Sequence, residues 1–78
     1  MIFYTEFSKY EIDLDGRKIR RIEGAAPPTE RQGKDGEWRK YYEILGLCEG
    51  CCPVIRWEEG SHKGTHLSQV MFIEKESA

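Results

Sequence analysis

Residues 10–22 of this 78-residue chain read YEIDLDGRKIRRI, and this stretch predicts a β-hairpin. Asp15 and Gly16 are a preferred pair for a two-residue type I′ turn, and apolar residues alternate with charged residues on both sides. One face of the hairpin then carries opposite charges across from each other, and the other face is apolar. The predicted partners are Asp13 with Lys18, Glu11 with Arg20 and Ile12 with Ile19, and Tyr10 and Leu14 share the apolar face.

The last third of the chain predicts a second hairpin. The β-rich runs 54–58 and 67–73 are separated by the polar loop 59–66, which contains glycine. The turn from Trp57 to Gly60, followed by Leu67-Ser68 and a final strand, resembles the closing hairpin of SH3-like and Tudor-like barrels. This resemblance implies a small barrel.

The segment 37–47 predicts a third strand, because its tryptophan and two tyrosines favour β-structure. The alternative is a short helix at 37–46, with an apolar stripe, Asp35 as the N-cap and Gly46 after the last turn. Residues 41–47 also resemble the helical opening segment of J-domains. No His-Pro-Asp motif follows, so this resemblance implies no function.

Together these elements predict a mainly β fold, with hairpins at 2–22 and 54–73. The expected form is a small antiparallel sheet or an SH3-like barrel of about four to five strands. A helix at 37–46 would make the fold α+β instead. Residues 1–78 are expected to form a single small domain, in which two prolines and three glycines predict a flexible loop at 24–36.

Charge and hydropathy restrict the class of protein. The net charge is −2, from 12 basic and 14 acidic residues, which excludes a globally basic nucleic-acid binder. No stretch approaches the roughly 20 apolar residues that span a bilayer, so we expect a cytoplasmic protein without a membrane partner. Because that compartment keeps thiols reduced, the three cysteines are expected to be free thiols or metal ligands.

The cysteines and histidines have a spacing close to that of a zinc finger. Cys48, Cys51, His62 and His66 could supply four ligands, and a zinc-stabilised module is therefore one alternative. The predicted strand between the two pairs argues against it. Six extended residues at about 3.3 Å each would hold the pairs roughly 20 Å apart. We therefore predict no metal and no cofactor.

The segment Cys48–Cys51 has the Cys-x-x-Cys spacing of redox pairs. A redox role requires a stabilised thiolate, and the carboxylate of Glu49 between the cysteines disfavours one. We instead expect a tight turn between strands, in which Gly50 supplies a positive φ and the cysteines are partly buried.

Residues 17–21 contain the basic run of the chain. The hairpin partners predicted above neutralise Lys18 and Arg20. Arg17 and Arg21 are therefore predicted to be unpaired. The predicted binding residues are these two arginines, as phosphate contacts, and Tyr10 and Trp38, as rings on which a base could stack. A small barrel that binds nucleic acid is accordingly a second alternative.

The motifs of known catalytic sites are absent from the sequence, including phosphate-binding glycine loops and His-Glu-x-x-His. We therefore predict a protein that is not an enzyme. Nine aromatic residues on a small scaffold with edge strands favour a module that binds a protein partner or forms a homodimer.

Overall fold

The computed structural model describes residues 1–25 and 33–74. These residues contain short strands and no helix, so the mainly β prediction is confirmed and the alternative helix at 37–46 is wrong. Of the predicted loop 24–36, residues 26–32 lie outside the described residues. The strands are β1 (Ile2–Thr5), β2 (Ser8–Asp13), β3 (Lys18–Gly24), β4 (Arg39–Lys40), β5 (Glu43–Leu45), β6 (Val54–Arg56), β7 (Gly64–His66) and β8 (Val70–Glu74).

The strands of the described residues form two antiparallel sheets. The large sheet has the order β4-β3-β2-β1-β8, and the small sheet has the order β5-β6-β7. The structure thus has the first of the two expected forms, antiparallel sheets. The strands are shorter and more numerous than the four to five expected. Segment 2–22 contains three strands, segment 37–47 is divided into β4 and β5, and β7 lies in the predicted loop 59–66.

The central hairpin β2–β3 has the predicted register, with Asp13 opposite Lys18 and Ile12 opposite Ile19. The predicted type I′ turn is wrong. A type I′ turn needs a positive φ at both Asp15 and Gly16, whereas here the positive φ, 51°, is at Arg17. β2 ends at Asp13 and β3 begins at Lys18, so the connection is longer than two residues. The Asp13 carboxylate accepts the Gly16 N–H at 3.0 Å and stabilises this turn.

The predicted hairpin at 2–22 is the first three strands of the large sheet. β1 pairs with β2, and β2 pairs with β3. The turn between β1 and β2 is held by the Thr5 hydroxyl, which accepts the N–H groups of Phe7 at 3.3 Å and Ser8 at 3.0 Å. A buried threonine at the end of β1 therefore sets the direction in which the chain returns.

The predicted hairpin at 54–73 is wrong. β6 pairs with β7, which lies inside the predicted loop 59–66, and β8 pairs with β1 at the opposite end of the chain. The Leu67 N–H donates to the Pro53 carbonyl at 2.9 Å, and the chain then leaves the small sheet. The crossing buries Leu67 and Val70 in the same core, and burial of these apolar side chains favours it over continued local pairing.

The predicted strand at 37–47 is divided between the sheets, with β4 in the large one and β5 in the small one. Two neighbouring tyrosines mark the division. The Tyr41 N–H donates to the Arg17 carbonyl, and the Tyr42 N–H donates to the Arg56 carbonyl, each at 2.9 Å. The backbone at this point therefore connects the turn of the large sheet to the central strand of the small sheet.

One apolar core lies between the sheets. The rings of Phe3 and Tyr10 are stacked with centroids 5.0 Å apart. Leu14, predicted on the apolar face, lies in the turn and is 48% exposed. The buried apolar residues are Phe3, Tyr10, Ile12, Ile19, Tyr41, Ile55, Leu67 and Val70.

Ile55, on the central strand of the small sheet, is fully buried, whereas Leu45 on the neighbouring strand is 47% exposed. We expect Ile55→Val to lower the free energy of unfolding by about 0.5–1.5 kcal/mol and Ile55→Ala to lower it by about 2–5 kcal/mol. Leu45→Ala is the matched control, with a change within about 0.5 kcal/mol. Urea denaturation measures all three. Equal losses at the two sites would contradict the assigned core.

Burial raises the pKa of the Tyr41 hydroxyl above its ordinary value of 10.0, and the positive charge of Arg17 partly opposes this shift. The folded protein therefore holds the Tyr41 proton at a pH where the unfolded chain releases it. The stabilisation is complete below pH 10.0 and is lost as the pH rises through the folded-state pKa. Urea denaturation should show a shallower alkaline decline in stability for Tyr41→Phe, and identical slopes would contradict this.

Candidate interaction surface

The four predicted binding residues do not lie on one surface. Tyr10 and Arg21 are buried, with exposures of 6% and 7%, and are not retained as binding residues. Arg17 lies exposed in the β2–β3 turn. Trp38 is 39% exposed, and the guanidinium of Arg20 lies 4.6 Å from its ring centroid. The structure thus leaves Arg17 and Trp38 accessible at separate places.

Arg21 has a structural partner that the sequence analysis missed. Arg21 lies two residues after Ile19 in β3, so both side chains are on the inward face of the strand. The Arg21 Nε donates to the Asp35 carboxylate at 2.7 Å. Its carbonyl accepts the Gly36 N–H at 2.7 Å. Asp35 lies 14 residues further along the chain, so strand alternation alone could not reveal this pair. The prediction that Arg21 is unpaired is wrong.

The outer face of the large sheet, opposite the core, carries both signs of charge. The strand registers place the same number of basic and acidic residues there, and the Arg20 Nε donates to the Glu11 carboxylate at 2.8 Å. Such a balanced face does not favour phosphate binding. Along the described paired strands, the basic members are Lys9, Lys18, Arg20 and Lys40, and the acidic members are Glu11, Asp13, Glu23 and Glu74.

The cysteines differ from the sequence prediction. Cys48 and Cys51 form a disulfide with a Cα–Cα distance of 5.4 Å, so the expectation that they are free is wrong. Cys52 is a free, exposed thiol. The predicted tight turn is confirmed, because Gly50 has a φ of 83°. Only glycine adopts this backbone conformation without strain. The predicted partial burial of the cysteines holds for Cys51 but is wrong for Cys48 and Cys52, which are exposed.

The zinc alternative is not supported by this geometry. The sulfurs of Cys48 and Cys51 are bonded to each other, and β6 separates them from the histidines in the chain. His66 lies opposite Val54 in the small sheet. Across residues 1–25 and 33–74, no three His, Cys, Asp or Glu side chains are grouped so that they could hold a metal ion.

The disulfide loop, residues 48–51, is hydrogen-bonded to the start of β8. The Gly50 N–H donates to the Val70 carbonyl, and the Val70 N–H donates to the Cys51 carbonyl, each at 2.8 Å. The Gln69 side-chain amide donates to the Gly50 carbonyl at 3.0 Å. Both backbone polar groups of Val70 are therefore occupied by the disulfide loop.

Beyond Val70, β8 presents apolar side chains at the edge of the large sheet. Met71 is 58% exposed and Phe72 is 53% exposed. Phe7, in the turn that follows the neighbouring strand β1, is 57% exposed. The Tyr4 and Phe72 rings contact each other with centroids 5.9 Å apart. We call Tyr4, Phe7, Met71 and Phe72 the β8 surface.

A groove of about 370 Å³ lies beside the β8 surface at the β1–β2 turn. Tyr4 and Phe7 line its apolar part, and Lys9 and Glu23 line its charged part. The Lys9 ammonium lies 5.5 Å from the Tyr4 ring centroid, so a cation already contacts this ring. The groove is lined by residues of β1, β2 and the end of β3, and it shares Tyr4 and Phe7 with the β8 surface.

The opposite edge of the large sheet differs from β8. It is formed by β4, which has two residues, Arg39 and Lys40, both exposed and charged. Short, charged edge strands of this kind discourage further pairing, whereas an apolar edge strand invites it. The contrast identifies β8 as the candidate interaction edge.

The β8 surface is not predicted by the sequence pattern, which favours pairing of residues 67–73 with 54–58. In that arrangement, β8 has a local partner, and nothing indicates that it forms an edge of the sheet that contains β1. One signal was available. Val70-Met71-Phe72-Ile73 is a continuous apolar run, which exceeds what a strand with one buried face requires.

No family model, curated protein or solved structure matches this chain. In the part of the chain that the structure describes, no helix is long and apolar enough to cross a membrane.

The buried Arg21 guanidinium depends on Asp35, which is 39% exposed. We expect Asp35→Asn to lower the free energy of unfolding by about 1–3 kcal/mol, because it leaves a buried charged donor with a weaker acceptor. Glu37→Gln removes the exposed ion pair with Arg39 and should cost less than about 0.5 kcal/mol. Thermal and urea denaturation of both variants check this, and equal losses would contradict a structural role for Arg21.

Proposed function

We propose that this protein is a non-catalytic interaction module that binds an extended segment of a partner protein along β8. The observation that supports this most directly is an edge strand with two large apolar side chains, Met71 and Phe72, more than half exposed. An added strand forms backbone hydrogen bonds to such an edge and places alternate side chains against the neighbouring surface.

The length of the open edge limits the segment that can bind. The disulfide loop occupies the outer backbone groups of Val70. The register also shifts between Tyr4 and Thr5, so Met71 is an extra residue opposite β1. A bulge of this kind weakens pairing by unselected strands. The open edge is therefore short, and the β8 surface must supply much of the binding energy.

Aromatic side chains suit this role. Phe72 and Tyr4 contact each other on the outer face, and Phe7 lines the groove beside them. Large rings supply contact area at low entropic cost and often dominate interfaces. An apolar side chain of the bound segment would enter the groove next to Phe7.

Charge at the two ends of the edge indicates the chemistry of the partner segment. Glu74 ends β8, and Glu49 lies exposed in the disulfide loop beside Val70. We therefore expect a segment with apolar residues at its centre and Lys or Arg at both ends.

The same charges argue against a second copy of this chain. In a twofold antiparallel pairing of two β8 strands, each Glu74 would approach the end of the other copy that carries Glu49. Like charges placed together in this way disfavour pairing. We therefore propose a different protein as the partner, and self-association becomes an outcome of the test.

The direct test is selection of peptides from a phage-displayed random dodecapeptide library on the immobilised, oxidised protein. We expect enriched peptides to alternate apolar residues between basic ends. Phe72→Ala should weaken a selected peptide by about tenfold, equivalent to about 1.4 kcal/mol. Leu45→Ala, which truncates an exposed leucine on the small sheet, should bind as the wild type does. Fluorescence polarisation measures both affinities.

Three results would overturn the proposal. The first is a library without enrichment, and the second is binding that tolerates Phe72→Ala while Leu45→Ala abolishes it. The third is a tight dimer in sedimentation equilibrium that Phe72→Ala dissociates, which would assign the β8 surface to self-association. Circular dichroism of each variant verifies that the fold is retained.

A further inference from the structure

The disulfide loop joins the two sheets of the fold. It follows β5 and precedes β6 in the small sheet, and its backbone bonds to Val70 at the start of β8 in the large sheet. The link consists of the Gly50 and Val70 N–H donations at 2.8 Å, together with the Gln69 side-chain donation at 3.0 Å. The conformation of a four-residue disulfide ring thus decides whether β8 is anchored at its first residue.

The ring is accessible to a reductant. Cys48, Glu49 and Gly50 are exposed, and Cys51 is partly exposed. Within the ring, the Cys51 N–H donates to the Cys48 carbonyl at 3.1 Å, and Gly50 has the positive φ already described. A disulfide buried in the core would be protected from a thiolate by packing, whereas this one faces solvent.

We propose that Cys48–Cys51 is a reversible thiol–disulfide exchange site whose redox state controls the anchoring of β8. The reductant is a dithiol, in a protein or a small molecule. One thiolate of the dithiol attacks the exposed Cys48 sulfur, the S–S bond breaks, and Cys51 leaves as a thiolate that takes up a proton. The second thiol of the dithiol then displaces Cys48, so two electrons and two protons pass to the cysteines and the reductant becomes a disulfide.

Reduction affects β8 because the ring restricts the backbone that bonds to it. With the disulfide broken, residues 48–51 regain conformational freedom. Forming the Gly50 and Val70 hydrogen bonds then costs more conformational entropy, so these bonds are weaker. The core position of Val70 is retained by its burial and by the pairing of β8 with β1. The expected change is therefore local fraying of the start of β8, not unfolding of the domain.

Glu49 sets the rate of this exchange. Its carboxylate lies between the two cysteines in the chain and is exposed. It repels an incoming thiolate and disfavours the thiolate that leaves. Replacing Glu49 by lysine reverses both effects, so Glu49→Lys is expected to be reduced several times faster than the wild type.

This inference goes beyond the proposed function and does not depend on a partner. Its test uses folded wild-type protein in mixtures of reduced and oxidised dithiothreitol, without denaturant. N-ethylmaleimide labelling and intact mass count the thiols. We expect one label on the oxidised protein, at Cys52, and labels on all three cysteines after reduction. Oxidised dithiothreitol should restore the single label.

Amide hydrogen exchange then measures whether the hydrogen bonds between the disulfide loop and β8 are retained. Reduction should speed exchange at Gly50 and Val70 by at least about tenfold, as expected when local hydrogen bonds open. The amide of the buried residue Ile12, which donates to the Met1 carbonyl at 2.8 Å beside the paired strands β1 and β2, should not change and serves as an internal reference.

Variants separate the redox site from general instability. Cys48→Ser/Cys51→Ser should exchange rapidly at Val70 without any reductant, whereas Cys52→Ser should retain the wild-type response. Should the double variant fail to fold, the reduction rate of Glu49→Lys provides a second test. Its matched control is Glu59→Lys, the same charge change at an exposed turn in the small sheet.

The proposal is overturned when reductant leaves a single label on the folded protein, because the disulfide is then inaccessible. Three labels with unchanged exchange at Gly50 and Val70 would also overturn it, because reduction would then leave β8 anchored. Failure of oxidised dithiothreitol to restore the bond would exclude reversible exchange.

Discussion

Burial of one apolar core between the large and small sheets is the constraint on which the rest of the structure depends. Each sheet has an apolar face that the other sheet covers, and the small sheet has only three strands of three residues each among the described residues. Ile55 brings its central strand into the same cluster as Phe3 and Val70. The division of segment 37–47, and the departure of β8 from the small sheet, both follow from sharing this core.

Sharing the core leaves β8 at an edge. Once β8 pairs with β1, its other side has the disulfide loop at Val70 and, within residues 1–25 and 33–74, no further strand. The proposed interaction surface and the proposed redox site are therefore neighbours for one structural reason. The loop that connects β5 to β6 within the small sheet passes beside the open edge of the large sheet, and the disulfide constrains that loop.

The candidate site was the least predictable part of the protein. Cys48–Cys51 was expected as a turn, and Gly50 has the expected conformation, because this is local chemistry. The bond between the two sulfurs was not expected, since the argument about free thiols rested on a compartment and not on geometry. Arg21 was misassigned because its partner Asp35 is distant in sequence. Phe72 was missed because strand partners cannot be derived from alternation alone.

The sequence by itself determined the mainly β class, the register of the central hairpin and the positions of several turns. These features depend on neighbouring residues, as in the opposition of Ile12 and Ile19. Only the tertiary structure decided which strands share a sheet and which edge stays open. Those choices minimise the exposure of one core assembled from both ends of the chain, including Phe3 and Val70. No local pattern contains that information, because the contacts form between segments that the sequence places far apart.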